Sequence, residues 1–247
     1  MNKFIALSGL PRSGSTLLSA ILSQNPDIHA EGNSAVCQLM WDMQQSCNGN
    51  SQQQLIANNK YDVSYDLITS IPNIYYKNVK QSVIFDKCRS WTLPDNMNML
   101  YKYIDENPKV IVLERPIIDI VKSFVSLRLK NNWQGNPEEG LLDEWSEPIM
   151  RSYNGVKWAK KNNNGEFLFV KYDDIVTDHK LTLKRIYEFC ELKHFEHNFS
   201  HIVNNHPEND KVYEMLGQHD IRPTISKRNI EVKLSNEIIK KCKALDQ

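Results

Sequence analysis

The sequence predicts an α/β fold of the P-loop-like, three-layer kind, in which helices flank a central parallel sheet. Two observations lead to this prediction. Short apolar runs of strand length alternate with longer helical segments, as a parallel sheet with crossover helices requires. The first apolar run, Phe4 to Leu7, leads directly into a glycine-bearing turn and then a helix. The length of 247 residues suits a single domain over residues 1–247.

The first half of the chain alternates strands and helices. The run from Phe4 to Leu7 predicts the first strand, and the apolar face from Ser15 to Gln24 predicts a helix that ends at an Asn-Pro-Asp stop. The residues after this stop, Ile28 to Glu31, predict a short strand or an extended loop. The remaining predictions here are a helix over 34–45, a surface loop over 48–54, a helix over 61–76 broken at Pro72, and a strand over 82–85.

The second half contains the clearest strand, Lys109 to Leu113. It is followed by Pro116, which suits the first position of a helix because its missing N–H is not needed there. Residues 131–148 are rich in glycine, proline and acids and predict a mobile loop that covers a site. The other predictions are helices over 149–161, 181–190 and 235–245, a strand over 166–170, and an irregular polar stretch over 205–229.

Composition narrows the function classes. The chain has 30 Lys and Arg against 30 Asp and Glu, and its basic residues form no aromatic-interleaved cluster, so we expect no nucleic-acid partner. Five scattered cysteines and unpatterned histidines predict neither a metal site nor a disulfide framework, and favour reduced thiols in a cytoplasmic protein. No apolar stretch approaches membrane-spanning length, so no membrane partner is expected.

The turn after the first strand predicts an anion site. Backbone N–H groups of such a glycine loop point inward, and the N-terminus of the following helix adds partial positive charge. Gly9 and Gly14 have the spacing of a P-loop, but Ser15 stands where a nucleotide triphosphatase needs Lys. Arg12 is the only cation within the loop. The site is therefore suited to a phosphate-like group rather than to Mg·ATP.

The run from Pro11 to Leu18, Pro-Arg-Ser-Gly-Ser-Thr-Leu-Leu, resembles the 5′-phosphosulfate loop of sulfotransferases. The sequence of this loop is similar to that of the bacterial and tyrosyl-protein sulfotransferases. The resemblance implies 3′-phosphoadenosine-5′-phosphosulfate (PAPS) as co-substrate and no metal. It assigns donor binding to the residues of the loop, which are Pro11, Arg12, Ser13, Gly14, Ser15, Thr16 and Leu17.

Three later segments resemble other donor-binding elements of this family. Arg115 and Ser123, spaced as Arg-x7-Ser at a strand–helix junction, resemble its 3′-phosphate element, and an Arg fork suits a terminal phosphate. Tyr172 lies in a segment that resembles the family's adenine-facing tyrosine. Lys227 and Arg228 lie where sulfotransferases place a late loop over the 3′-phosphate, although the usual Arg-Lys-Gly is absent.

The catalytic candidates are Arg12, Lys87, Glu31 and Asp86. Lys87 follows the strand over 82–85, where related enzymes place a lysine on the transferred group; a surface ion pair with Asp86 is the alternative. Glu31 is the preferred general base, although the catalytic Glu of tyrosyl-protein enzymes aligns with Asn33. Asp86 and His29 are the other candidates for the base.

The resemblance implies in-line transfer of a sulfuryl group from PAPS to an acceptor hydroxyl or amine. The acceptor can be a small molecule, a carbohydrate or a peptide, and Arg89 is a candidate residue for binding it. Two alternatives stay open. One is a P-loop kinase or NTPase, against which Ser15 and the strand-end pair Glu114 and Arg115 argue. The other is a non-catalytic nucleotide-binding protein of the same fold.

Overall fold

The computed structural model describes residues 3–144, 147–227 and 229–246. Five parallel strands form one sheet in the order β2-β3-β1-β4-β5. β1 and β4 are therefore internal strands, and the loops that follow them open over the middle of the sheet. The strands are β1 Lys3–Gly9, β2 Ile28–Asn33, β3 Val83–Lys87, β4 Lys109–Glu114 and β5 Phe167–Lys171.

Ten α-helices occupy the described residues, joined by two short 3₁₀ turns at Arg89–Thr92 and Asp210–Tyr213. The helices are α1 Ser15–Leu22, α2 Val36–Asn48, α3 Gln52–Ala57, α4 Val63–Tyr75, α5 Pro94–Tyr103, α6 Ile117–Lys130, α7 Met150–Lys161, α8 Tyr172–Thr177, α9 His179–Phe189 and α10 Asn236–Leu245. Of these described helices, none is long and apolar enough to cross a membrane.

Alternating strand residues build two apolar cores, one on each face of the sheet. In β4, Val110 and Val112 pack into one core, whereas Ile111 and Leu113 pack into the other. The first core includes residues of α2, α4, α5, α6, α7 and α10, and the second includes residues of α1, α8 and α9. Both faces of these strands are buried, which is why they read as continuous apolar runs. The predicted α/β class with helices on both faces is confirmed.

The structure corrects the sequence prediction at several helices. The predicted break at Pro72 is wrong, because α4 runs through this proline to Tyr75. Pro72 lies in the last turn, where only one intrahelical hydrogen bond is lost to its missing N–H. The segment predicted as a surface loop over 48–54 contains the start of α3, and α5 has no counterpart in the prediction. The extended stretch after Asn25-Pro26-Asp27 is the edge strand β2.

Candidate active site

Two glycines shape the loop between β1 and α1. Gly9 has φ +122°, and a Cβ there would lie 2.2 Å from the carbonyl oxygen of Leu113 in β4. Gly14 has φ +90° and caps the N-terminus of α1; a Cβ there would lie 2.8 Å from Cδ2 of Tyr172. Both positions therefore need glycine for conformation and for space. The close approach of Tyr172 brings the end of β5 against the start of α1.

Arg12 is held in a fixed position within this loop. Its backbone is left-handed, with φ 57°, an uncommon conformation for a residue with a long side chain. Arg115 Nη1 donates to the Arg12 carbonyl oxygen at 2.8 Å. The Arg12 side chain donates from Nε to Ser123 Oγ at 2.9 Å and from Nη1 to the carbonyl oxygen of Gln218. The Arg12 guanidinium thus joins α6 to the segment that contains Gln218, which fixes its direction.

Arg115 and Tyr172 form a stacked pair beside the loop. The Arg115 guanidinium lies 4.3 Å from the centroid of the Tyr172 ring, within cation–π distance. Both side chains line the same cavity as Arg12 and Ser123. The ends of β4 and β5 therefore place a cation and an aromatic face next to the anion loop.

A cavity of about 530 Å³ opens at the carboxyl ends of β1, β3, β4 and β5, which is within the usual size range of small-molecule sites. Its described wall is rich in cations, with two carboxylates, Glu147 and Asp220. The cations that line it are Arg12, Lys87, Arg89, Arg115, Arg128 and Arg222. This excess of positive charge favours an anionic ligand.

Lys87 enters the cavity from the end of β3 and forms an ion pair inside the protein. Its side chain is only 4% exposed, and its Nζ lies 3.2 Å from Oε2 of Glu208, which is 11% exposed. Burial lowers the pKa of Lys87, and the carboxylate of Glu208 opposes this change. For Glu208, burial raises the pKa, but the charges of Lys87 and His219 outweigh it, so the pKa lies below its usual range.

A histidine and a second carboxylate continue this cluster. His219 Nδ1 lies 2.6 Å from Oδ1 of Asp210, and its backbone N–H donates to Oδ2 of the same residue at 3.0 Å. The other ring nitrogen, Nε2, lies 3.4 Å from Glu208 Oε2. With Nδ1 donating to Asp210, Nε2 is the atom that can accept a proton. Burial lowers the pKa of His219, and His219 lines the cavity.

Asp86 lies outside the cavity wall. Its carboxylate is fully buried and accepts hydrogen bonds from Trp91 Nε1 at 2.6 Å, Tyr76 OH at 2.7 Å and Ser34 Oγ at 2.5 Å. Burial raises its pKa despite these three donors. Adjacent strand residues point to opposite faces, so Lys87 and Asp86 cannot both enter the cavity. The alternative Lys87–Asp86 ion pair is wrong, because Lys87 pairs with Glu208.

The other candidates outside the cavity wall are Glu31, Ser13 and Lys227. The Glu31 carboxylate lies 3.2 Å from His29 Nε2 in β2, whereas Asn33, two residues further on, lines the cavity. Ser13 is fully buried, and its hydroxyl donates to the Leu10 carbonyl within the turn. Lys227 is exposed and pairs with Asp173 at 2.8 Å. Arg228 lies outside the described residues.

The far side of the cavity is lined by the end of α6 and by the loop that follows it. Arg128 stacks on Trp133 at 4.4 Å and donates to the carbonyl oxygen of Glu139 at 2.7 Å. Arg89 donates to the carbonyl oxygen of Pro148 at 3.3 Å. The segment over 131–148, predicted to cover a site, thus contributes Trp133, Glu147 and Pro148 to the wall.

Sequence reasoning missed the residues between β5 and α10 that close the cavity. Gln218 contacts Arg12 across 206 positions, and Glu208 contacts Lys87 across 121 positions. No local pattern marks pairings of this length. The one available signal was the polar, irregular stretch itself, which pointed to a covering loop but to Lys227 and Arg228 within it.

The fold and the site together define a class: an α/β protein in which a glycine loop of P-loop spacing, without the loop lysine, lies beside a cationic cavity. A family model described as "Sulfotransferase family" matches residues 5–197. The chain therefore belongs to the sulfotransferase family. The match ends before Glu208, Asp210, Gln218 and His219.

Solved structures are similar over nearly the full chain. The sulfotransferase domain from the curacin biosynthetic pathway has a TM-score of 0.61 at 15% identity, covering 99% of this chain and 98% of its own. The sulfotransferase domain from the Synechococcus PCC 7002 olefin synthase has a TM-score of 0.57 at 18% identity, covering 100% and 95%. A sulfotransferase from Alicyclobacillus acidocaldarius has a TM-score of 0.58 at 11% identity, covering 100% and 91%. At these identities the likeness concerns the fold.

Proposed function

We propose that the protein transfers a sulfuryl group from PAPS to a hydroxyl or amine of an acceptor. One observation carries the proposal: the loop guanidinium of Arg12 and the strand-end ammonium of Lys87 face one cationic cavity, beside a glycine loop without the P-loop lysine. A phosphosulfate is an anion that such a loop can bind through backbone N–H groups. A kinase is not favoured, because the loop has Ser15 in place of the lysine that pairs with the β- and γ-phosphates.

The donor half of the cavity suits the nucleotide of PAPS. All loop residues from Pro11 to Leu17 except Ser13 line the wall around the start of α1, where an anionic group is stabilised. Arg115 and Ser123 supply a guanidinium fork and a hydroxyl for the 3′-phosphate. The aromatic ring of Tyr172 offers a face for the adenine.

In the proposed reaction, the acceptor oxygen or nitrogen forms a bond to sulfur while the bond from sulfur to the bridging phosphate oxygen breaks. The products are the sulfated acceptor and adenosine 3′,5′-bisphosphate, and the acceptor proton passes to a base. Negative charge grows on the bridging oxygen, where Arg12, Lys87 and the loop N–H groups stabilise it. Their fixed positions limit the reorganisation needed as this charge develops.

His219 is the base that we favour. It lines the cavity, and Asp210 holds its Nδ1, so its Nε2 is directed toward the neighbouring carboxylate of Glu208 and the cavity. This is the arrangement in which a carboxylate orients an imidazole that accepts a proton. Glu31 faces His29 instead, and the carboxylate of Asp86 is saturated by three buried donors. We therefore move the role of the base from these two carboxylates to His219.

The proposal is tested by a transfer screen with ³⁵S-labelled PAPS against panels of carbohydrates, peptides and small alcohols or amines. We expect labelled product from wild-type protein with at least one panel. Arg12→Ala should lower its rate by about 10²–10³, the usual cost of removing one preorganised donor. Lys184→Ala is the matched control, because it removes an exposed cation on α9 that lies outside the cavity wall.

Binding measurements separate the alternatives. PAPS binding without transfer to any panel would favour a non-catalytic nucleotide-binding protein. Binding of ATP that requires magnesium, with no binding of PAPS, would overturn the proposal in favour of a phosphoryl-transfer enzyme.

A further inference from the structure

We propose that Glu208 is a positioning residue for Lys87: its carboxylate orients the Lys87 ammonium in the cavity and supplies its counter-charge. This inference rests on the proposed sulfuryl transfer, in which Lys87 acts on the transferred group. Glu208 lies beyond the part of the chain that the family model matches.

The surroundings of Lys87 explain why it needs a counter-charge. Its side chain is almost fully buried, and removing an ammonium from water strongly disfavours its charged form. The guanidinium groups of Arg12 and Arg89 add repulsion from the glycine loop and from the 3₁₀ turn after β3. Among the ion pairs of the described residues, the partner of Lys87 is Glu208, at 3.2 Å.

Glu208 is itself held in place from three directions. Asn33 Nδ2, at the end of β2, donates to Glu208 Oε1 at 3.2 Å. Tyr213 OH approaches the same oxygen at 3.4 Å, and His219 Nε2 lies 3.4 Å from Oε2. Lys87 Nζ also contacts Oε2. Asn33, Tyr213 and Lys87 thus donate to the two carboxylate oxygens, which leaves the side chain little freedom to turn.

The end of β2 makes room for this carboxylate. A Cβ on Gly32 would lie 2.2 Å from Cγ of Glu208 and 2.3 Å from its Cδ. Gly32 does not have a positive φ, so the demand for glycine here is one of space alone. The irregular segment after α9 thus inserts Glu208 into a gap that the β2 backbone leaves open, directly beside Lys87.

The first experiment measures the charge of Lys87 directly, in the full chain without nucleotide. Protein labelled with ¹³C at lysine Cε is titrated by NMR, and the Lys87→Arg variant identifies the Lys87 signal by its loss. Glu208 raises the pKa of Lys87, so Glu208→Gln should lower the Lys87 midpoint by about one pH unit or more. An unchanged midpoint in this variant would overturn the inference.

The second experiment asks whether orientation matters as well as charge. Gly32→Ala keeps the Glu208 carboxylate but forces it away from its place, and circular dichroism checks the fold. Calorimetry then compares PAPS with adenosine 3′-phosphate, which lacks both the sulfuryl group and the bridging oxygen on which Lys87 would act. The calorimetry is run at a pH above the wild-type Lys87 midpoint, where a one-unit fall in the pKa of Lys87 lowers its charged fraction about tenfold. We therefore expect Gly32→Ala and Glu208→Gln each to reduce the preference for PAPS by about tenfold.

Glu188→Gln is the matched control. Glu188 pairs with Lys184 at 3.8 Å on the exposed face of α9, so its loss removes the same charge from a solvated lysine pair. We expect neither the Lys87 midpoint nor the preference for PAPS to change. Tighter PAPS binding in Glu208→Gln would overturn the inference, because Glu208 would then block Lys87. If wild-type protein binds neither nucleotide, the proposed function fails, whereas the lysine titration still decides whether Glu208 sets the charge of Lys87.

Discussion

Gly14→Ala tests how the glycine loop and Tyr172 depend on each other. At φ +90°, a side chain costs about 1–2 kcal/mol of backbone free energy. The new Cβ would also lie 2.8 Å from Tyr172 Cδ2, so the ring must shift from its stack with Arg115. Loss of this stack adds about 0.5–1 kcal/mol. We expect the free energy of unfolding to fall by about 1.5–3 kcal/mol and the affinity for adenosine 3′,5′-bisphosphate to fall at least about tenfold.

Chemical denaturation gives the first quantity and calorimetry the second. Since 1 kcal/mol lowers Tm by about 2–4 °C in a chain of this size, thermal unfolding gives an independent check. The matched control is Gly165→Ala, which has φ +114° but no heavy atom within 4 Å of the added Cβ. It should carry the backbone cost alone and leave nucleotide binding unchanged. Equal nucleotide affinities for the two variants would refute the reasoning that Gly14 makes space for Tyr172.

Three further predictions concern the cavity and the buried carboxylate beside it. Arg115→Ala should weaken adenosine 3′,5′-bisphosphate by about 1.5–3 kcal/mol and adenosine 5′-phosphate far less, measured by calorimetry; equal losses would make Arg115 structural. Burial raises the pKa of Asp86, so the carboxyl stabilises the fold at low pH and less so as pH rises through that pKa. The unfolding free energy of wild type relative to Asp86→Asn should therefore fall as the pH rises above about 4, the usual pKa of an aspartate, and a constant difference would contradict this. His219→Gln should abolish most of kcat while PAPS binding persists, whereas Glu31→Gln should keep near-normal turnover; the reverse result would return the base to Glu31.

The parts of the fold that follow from local pattern were readable in the sequence. Buried parallel strands appear as apolar runs, and the loop chemistry is contained in the residues from Gly9 to Leu18. The sequence of the edge strand β2 fits a strand and a loop equally, because its second half carries Glu31, Gly32 and Asn33 in place of apolar residues. Helix α5 was missed although Pro94 at its first turn was a usable start signal.

The candidate site was only partly readable, for a physical reason. Arg12, Lys87, Arg115 and Tyr172 each follow a strand, so the geometry of a parallel sheet predicts that they meet. The alternation of strand faces could also have separated Lys87 from Asp86, because neighbouring side chains point to opposite faces. The partners that close the cavity come from a segment without regular strands, and their positions depend on tertiary contacts alone.

The order in which the chain is synthesised gives this late segment a further consequence. The last strand, β5, ends at Lys171, so every strand of the sheet has been made before Glu208 and Gln218 are added. At the usual rates of translation, the interval between Lys171 and Glu208 lasts about 2–7 s, which is long enough for many domains to fold. A growing chain can therefore complete its sheet and glycine loop while the cavity is still open on one side. Arg12 and Lys87 gain Gln218 and Glu208 as partners only after every strand of the sheet has been made, which delays the competent site until this late segment has packed over the open cavity.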